Sequence, residues 1–165
     1  MHKSWFILGL VAVFSLGDVM QRRSSAMTAQ QEEASARLGW KTDFKAAYAL
    51  ARKEGKILFI DFTGSDWCPP CMRLEKEVFS TPEFAKFAAK NLVLLRVDFP
   101  KQTPLPPERQ RENDELAAYF GIEGYPTMVL VSPRGTLLGE LGYGGGGSEE
   151  ILPKLEYLRK GGGRG

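Results

Sequence analysis

Apolar side chains recur at helical spacing over residues 43–54, where Phe44, Ala47, Tyr48 and Ala51 stand at i, i+3, i+4 and i+7 and Gly55 supplies a stop. Residues 56–62 follow as a strand, apolar from Ile57 onward except at Asp61, the pattern of a strand covered on both faces and so central in its sheet. Leu74, Val78 and Phe79 then mark the inner face of a helix, and Thr81-Pro82-Glu83 reads as a fresh cap with proline at the first helical position, continued by Phe84, Phe87 and Ala88. Residues 92–97 form a second buried strand. A proline-rich stretch over residues 99–107 breaks the pattern and reads as stiff and extended.

The rhythm returns at residues 108–120, a polar helix with Leu116, Ala117 and Phe120 inward and Gly121 as its end. Residues 127–131 and 136–141 flank Ser132-Pro133-Arg134-Gly135 as a hairpin. Glycines 144–147 make a joint before a last helix from about Ser148, with Ile151, Leu152, Leu155 and Leu158 inward. The order helix, strand, helix, strand, helix, hairpin, helix predicts an α/β fold. Two parallel strands joined through helices and an antiparallel hairpin at one side give a central mixed sheet with helices on both faces and a C-terminal β-hairpin plus helix.

The ends of the chain read differently. His2 and Lys3 precede an apolar stretch from Trp5 to about Leu16, too short to span a bilayer comfortably, and Ser24-Ser25-Ala26 offers small residues for cleavage. Residues 1–26 are therefore expected to be a signal peptide, with an uncleaved anchor over residues 5–20 as the alternative. Residues 27–36 are small and polar, a linker; residues 37–160 form the domain; residues 161–165 are expected to be a disordered tail. The predicted location is periplasmic or otherwise extracytoplasmic. Removal of residues 1–26 lowers the Lys and Arg count from 22 to 19 and the Asp and Glu count from 20 to 19. A chain so balanced lacks the basic excess that nucleic acid or an anionic membrane would require. A monomer is expected, with membrane contact only through an uncleaved N-terminal segment.

Trp67-Cys68-Pro69-Pro70-Cys71 holds the two cysteines of the chain, at the place where the first strand feeds a helix. Reactive groups gather at the C-terminal ends of parallel strands in open α/β sheets. A four-residue disulfide ring restricts the unfolded chain by only about 2 kcal/mol, and a domain of this length needs no such staple. Reactivity is the stronger reading. If Cys68 caps the helix, the prolines fill positions whose N–H groups have no intrahelical partner, and the positive helix end favours a thiolate at Cys68. Cys68 is then the nucleophile. Cys71, one turn inside, is expected to be the more buried and to resolve a mixed disulfide. The prolines also withhold two N–H donors from the Cys68 sulfur, which points to a reducing rather than a strongly oxidising site. With two cysteines and no histidine in the mature chain, no metal and no cofactor is expected.

Asp61-Phe62, the tryptophan-led CxxC, and Gly124-Tyr125-Pro126-Thr127 opening a strand some 55 residues later together resemble the thioredoxin superfamily over residues 37–160, and the Thr63-Gly64-Ser65-Asp66-Trp67-Cys68 entry with the long proline-rich loop resembles its exported bacterial members. The resemblance implies a thioredoxin fold and a thiol–disulfide oxidoreductase acting on protein disulfides or dithiols with a redox partner the sequence does not identify. It implies that Pro126 is a cis-proline facing the disulfide, that Tyr125 touches substrate, and that Trp67 shields the dithiol and touches substrate, with packing over the core edge alone as the other reading of the indole. It also implies that Asp61 is the buried acid serving Cys71, with Arg96 where the family has a lysine partner.

The chain departs from the family pattern at two points. One extra residue lies between Asp61 and Cys68, so that Asp66 is an alternative acid, its plainer reading being a solvated loop residue. The proline-rich loop is longer than usual and reads first as a rigid connector, second as a rim for partner proteins. Beside the enzyme, a redox-inactive binding or assembly protein of the same fold, with a structural disulfide, stays open as the alternative function.

Overall fold

The computed structural model describes residues 38–162. Residues 1–26, expected to be a signal peptide, the expected linker over residues 27–36 and the last three residues of the expected tail lie outside the described residues, so the structure bears on the domain alone. Among the described residues ten elements follow one another: α1 (Phe44–Glu54), β1 (Ile57–Thr63), α2 (Pro69–Leu74), a π-helical turn (Glu75–Phe79), α3 (Pro82–Asn91), β2 (Leu92–Asp98), α4 (Pro107–Phe120), β3 (Thr127–Val131), β4 (Leu137–Gly142) and α5 (Gly147–Arg159). Among the described residues no helix is long and apolar enough to cross a membrane.

The strands lie in the order β2-β1-β3-β4. β1 pairs parallel with β2, Asp61 opposite Arg96, and antiparallel with β3, Asp61 opposite Met128; β3 and β4 form the hairpin. All seven residues of β1 are buried, as a strand flanked on both edges and covered on both faces must be. The strand's period of two divides them. Ile57 and Phe59 join Leu74, Val78, Phe79, Phe84, Ile151 and Leu155 on one side of the sheet, under α2, α3 and α5. Leu58, Ile60 and Phe62 join Ala47, Ala51, Leu95, Val97 and Val129 on the other, under α1 and α4. Each such fully buried aliphatic or aromatic side chain stabilises the fold by roughly 1.5–3 kcal/mol, and the two clusters fix which way β1 faces.

That alternation places Asp61 on the α2 side of the sheet, at the C-terminal end of the central strand. The helices start and stop as their residues dictate. Asp43 caps α1 by accepting the Ala46 N–H at 2.7 Å, and Gly55 ends it at φ 66°, a left-handed conformation that a residue with a Cβ avoids. Thr81 accepts the Phe84 N–H at 3.3 Å, with Pro82 opening α3.

The helix that carries Cys71 is six residues of ordinary helix that widens, from Glu75, into the π turn, closed by Ser80 N–H to Glu75 O at 2.9 Å. The sequence pattern read this stretch as continuous helix, because Leu74, Val78 and Phe79 stay inward either way. The proline-rich segment is not uniformly extended: residues 101–103 bend, and residues 104–106 lead into α4.

Candidate active site

The chain leaves β1 through Gly64, whose carbonyl accepts the N–H groups of Trp67 at 3.3 Å and Cys68 at 2.9 Å. Cys68 is the N-cap of α2, with Pro69 and Pro70 in the first two helical positions. Cys68 and Cys71 are joined as a disulfide, S–S 2.07 Å. The Cys68 sulfur accepts the Cys71 N–H at 3.3 Å. The prolines thus withhold two donors, but the next amide along supplies one. Exposure does not rank the pair: Cys68 is 3% and Cys71 4% accessible, against the expectation of a deeper Cys71. Bonded to each other, both sulfurs share the cover of neighbouring groups, and what distinguishes them is the cap position of Cys68.

Beneath the sheet's end, Asp61 is 2% exposed. Its carboxyl is raised to about 7, chiefly by burial, which disfavours the anion; Arg96 opposes the rise, and Glu75 and Asp98 add to it. Asp61 Oδ1 has no hydrogen-bond partner, and Oδ2 lies 3.8 Å from Arg96 Nε. Arg96 gives its close contact elsewhere, Nη2 to Glu75 Oε2 at 2.5 Å, and lies over the Trp40 ring at 4.4 Å. Trp40 in turn packs on Phe59 and Phe79, so a core aromatic carries one face of the guanidinium.

Across the disulfide, the Tyr125–Pro126 peptide bond is cis, and the Tyr125 carbonyl oxygen is 3.7 Å from the Cys68 sulfur. Trp67 meets Tyr125 edge-on with centroids 5.9 Å apart, and its indole N–H donates to Phe99 O at 2.7 Å. Phe99 stacks on Tyr125 at 5.1 Å, and Lys101 Nζ lies 3.7 Å from the centre of the Trp67 ring.

Asp66, the alternative acid, is occupied otherwise. Its carboxylate accepts the N–H groups of Lys101 at 2.9 Å and Gln102 at 2.7 Å, bonds that hold its carboxyl below the ordinary range. The structure therefore brings Trp67, Cys68, Cys71, Tyr125 and Pro126 together at one edge, sets Asp61 on the α2 side of the same sheet end, and ties Asp66 to a loop. Reasoning from the sequence did not single out Glu75, Phe99 or Lys101. Glu75 stands four residues after Cys71, on the same helical face, and that spacing was its one available signal. The roles of Phe99 and Lys101 depend on how the proline-rich loop folds back, which no periodicity records.

A dithiol at a helix start suits nucleophilic exchange with a disulfide, and Asp61 on the α2 side of the same sheet end is an acid that can change protonation near neutral pH. A family profile described as thioredoxin-like matches residues 39–133. The disulfide bond reductase DsbH of Chlamydia pneumoniae is 31% identical over 142 residues, covering 85% of both chains. The solved structure of a DsbH oxidoreductase superposes with a TM-score of 0.69 at 30% identity, over 73% of this chain and 83% of that one. A thioredoxin from Thermus thermophilus superposes at 0.56 with 26% identity, over 73% of this chain and 88% of that one.

Proposed function

The chain belongs to the thioredoxin-like family and is a thiol–disulfide oxidoreductase, and from that premise we propose that it acts as a reductase of disulfides in exported proteins. The observation that carries the reading is the Cys68–Cys71 pair at the start of α2, with Cys68 as cap and the Tyr125–Pro126 segment against its sulfur.

In the reduced protein the Cys68 thiolate attacks one sulfur of a substrate disulfide. A Cys68–substrate disulfide forms as the substrate's own S–S bond breaks, releasing one substrate thiolate. Cys71 passes its proton to Asp61, and its thiolate attacks the Cys68 sulfur. The second substrate thiolate leaves, and the Cys68–Cys71 disulfide closes. The substrate gains two electrons, the protein loses two, and a partner dithiol restores it. Trp67, Tyr125 and Pro126 contact the substrate chain beside its cysteine. The N-terminal segment directs the protein out of the cytoplasm, where disulfides persist in its substrates.

Insulin reduction driven by a dithiol reductant tests the activity, and a Cys71→Ser variant tests the order of events. The expected result is insulin turnover by the natural chain and a disulfide-linked adduct through Cys68 in the variant. Full function in a Cys68→Ser, Cys71→Ser double variant would instead establish the redox-inactive binding protein.

A further inference from the structure

Three consecutive residues before Cys68 hold the chain that leaves β2. The Ser65 N–H and hydroxyl donate to the Asp98 carboxylate at 2.9 and 2.5 Å. Asp66 accepts the N–H groups of Lys101 and Gln102, and the Gln102 side-chain amide donates back to the Asp66 carbonyl at 2.7 Å. The Trp67 indole donates to Phe99 O. A rigid connector between β2 and α4 needs no such set of bonds to a different loop. Their effect is to lay Phe99 on Tyr125 and Lys101 on Trp67, making one aromatic wall that ends at the Tyr125 carbonyl, 3.7 Å from the Cys68 sulfur.

We propose that residues 99–102 belong to the substrate-recognition surface and that Asp66 is the positioning residue that keeps them there. The occupant is an extended segment of the substrate polypeptide, with an apolar side chain beside its disulfide cysteine and a carboxylate within reach of Lys101. Two observations argue for it. Phe99, Trp67 and Tyr125 are each only partly buried, so the wall has an open face. Lys101 is exposed and, among the described residues, forms no ion pair, so its ammonium is available to a carboxylate from outside. The inference rests on the reductase reading and deepens it by naming what the site recognises.

Steady-state kinetics of the full chain on insulin and on a small aromatic disulfide such as dithiobis(nitrobenzoate) provide the test. In Asp66→Ala the KM for insulin should rise about fivefold with kcat nearly unchanged, so that efficiency on insulin falls about fivefold relative to the small disulfide. Asp66→Asn, which keeps one carbonyl acceptor, should fall between. Lys101→Glu should lower efficiency on an acidic cystine peptide about fivefold more than on a basic one. If Asp66→Ala fails to melt cooperatively, Gln102→Ala, at an exposed position, carries the same comparison. Equal losses on both disulfides, or no change on either, would overturn the proposal while leaving the reductase intact. A natural chain that reduces the small disulfide but no protein disulfide would instead bring down the reductase reading itself.

Discussion

Arg96 stands opposite Asp61 across the β1–β2 ladder, yet its Nε remains 3.8 Å from Asp61 Oδ2 while its Nη2 reaches Glu75 Oε2 at 2.5 Å. The cation is shared unequally, and the more exposed carboxylate takes the close bond. Burial then outweighs attraction at Asp61 and raises its carboxyl to about 7. An acid held there can take a proton and return it at neutral pH, as the resolving step proposed for Cys71 requires.

The first prediction follows from linkage. In the disulfide form Asp61 binds its proton more tightly folded than unfolded, so the folded state carries more protons between about pH 4 and about pH 7. Stability therefore falls as pH rises through that window. Asp61→Asn has no charge to bury, and the variant should gain on the natural chain by a few kcal/mol between about pH 4 and about pH 8. Urea melts at the two pH values measure the difference, and a gap that does not widen with pH would refute this account of Asp61.

Glu75 gives the second. It raises the Asp61 carboxyl through its own charge and also holds the guanidinium that would lower it. Glu75→Gln removes both effects, so Arg96 should turn to Asp61 and the Asp61 carboxyl should titrate below about 7. The carboxyl carbon shift of Asp61 followed by NMR against pH reads this directly. Resolution of the mixed disulfide should shift to lower pH with it. An unchanged titration would show that burial alone sets Asp61.

Much of this was legible beforehand, for reasons specific to each residue. β1 announced itself because a strand covered on both faces has to be apolar at nearly every position, and Asp61 stood out as the exception. Cys68 could be placed as a cap because proline is tolerated at the start of a helix, which the structure bears out. The π turn at Glu75 was hidden, since the same three inward residues satisfy either helix. Asp66 was ambiguous for a related reason: a loop carboxylate accepts backbone N–H groups from any segment that reaches it, and that segment lies 35 residues further along the chain.

The third prediction concerns redox poise. Pro69 and Pro70 offer no N–H to the Cys68 sulfur, and the Cys71 N–H, at 3.3 Å, is the one backbone donor to it recorded among the described residues. A thiolate with few donors makes the reduced protein a better electron donor, so the couple should lie well below about −120 mV, the potential of the strongly oxidising dithiols. Pro70→Ala restores an amide at the second helical position and should move the potential upward. Equilibration with glutathione measures both. A natural chain near the oxidising extreme, or a variant that becomes more reducing, would contradict the donor argument.

Gly64 offers the last prediction, because it concerns space rather than charge. A Cβ built on Gly64 would stand 2.5 Å from Trp67 Cε2, 2.6 Å from Nε1 and 2.8 Å from Cζ2. Gly64 is not among the glycines with positive φ, so the conflict in Gly64→Ala is with the indole and not with the backbone. The ring cannot yield easily: its N–H is bonded to Phe99 O, Lys101 lies on its face, and Tyr125 meets it edge-on. Relief requires breaking the bond to Phe99, at a cost of about 1–3 kcal/mol by comparison with other overpacked sites. The variant should therefore lose stability by that amount, red-shift its tryptophan emission, and lose more in KM for a protein disulfide than in kcat. Gly142→Ala, where a Cβ meets nothing within 4 Å, serves as the control. If Gly64→Ala keeps both the emission and the KM of the natural chain, Trp67 is not held as described.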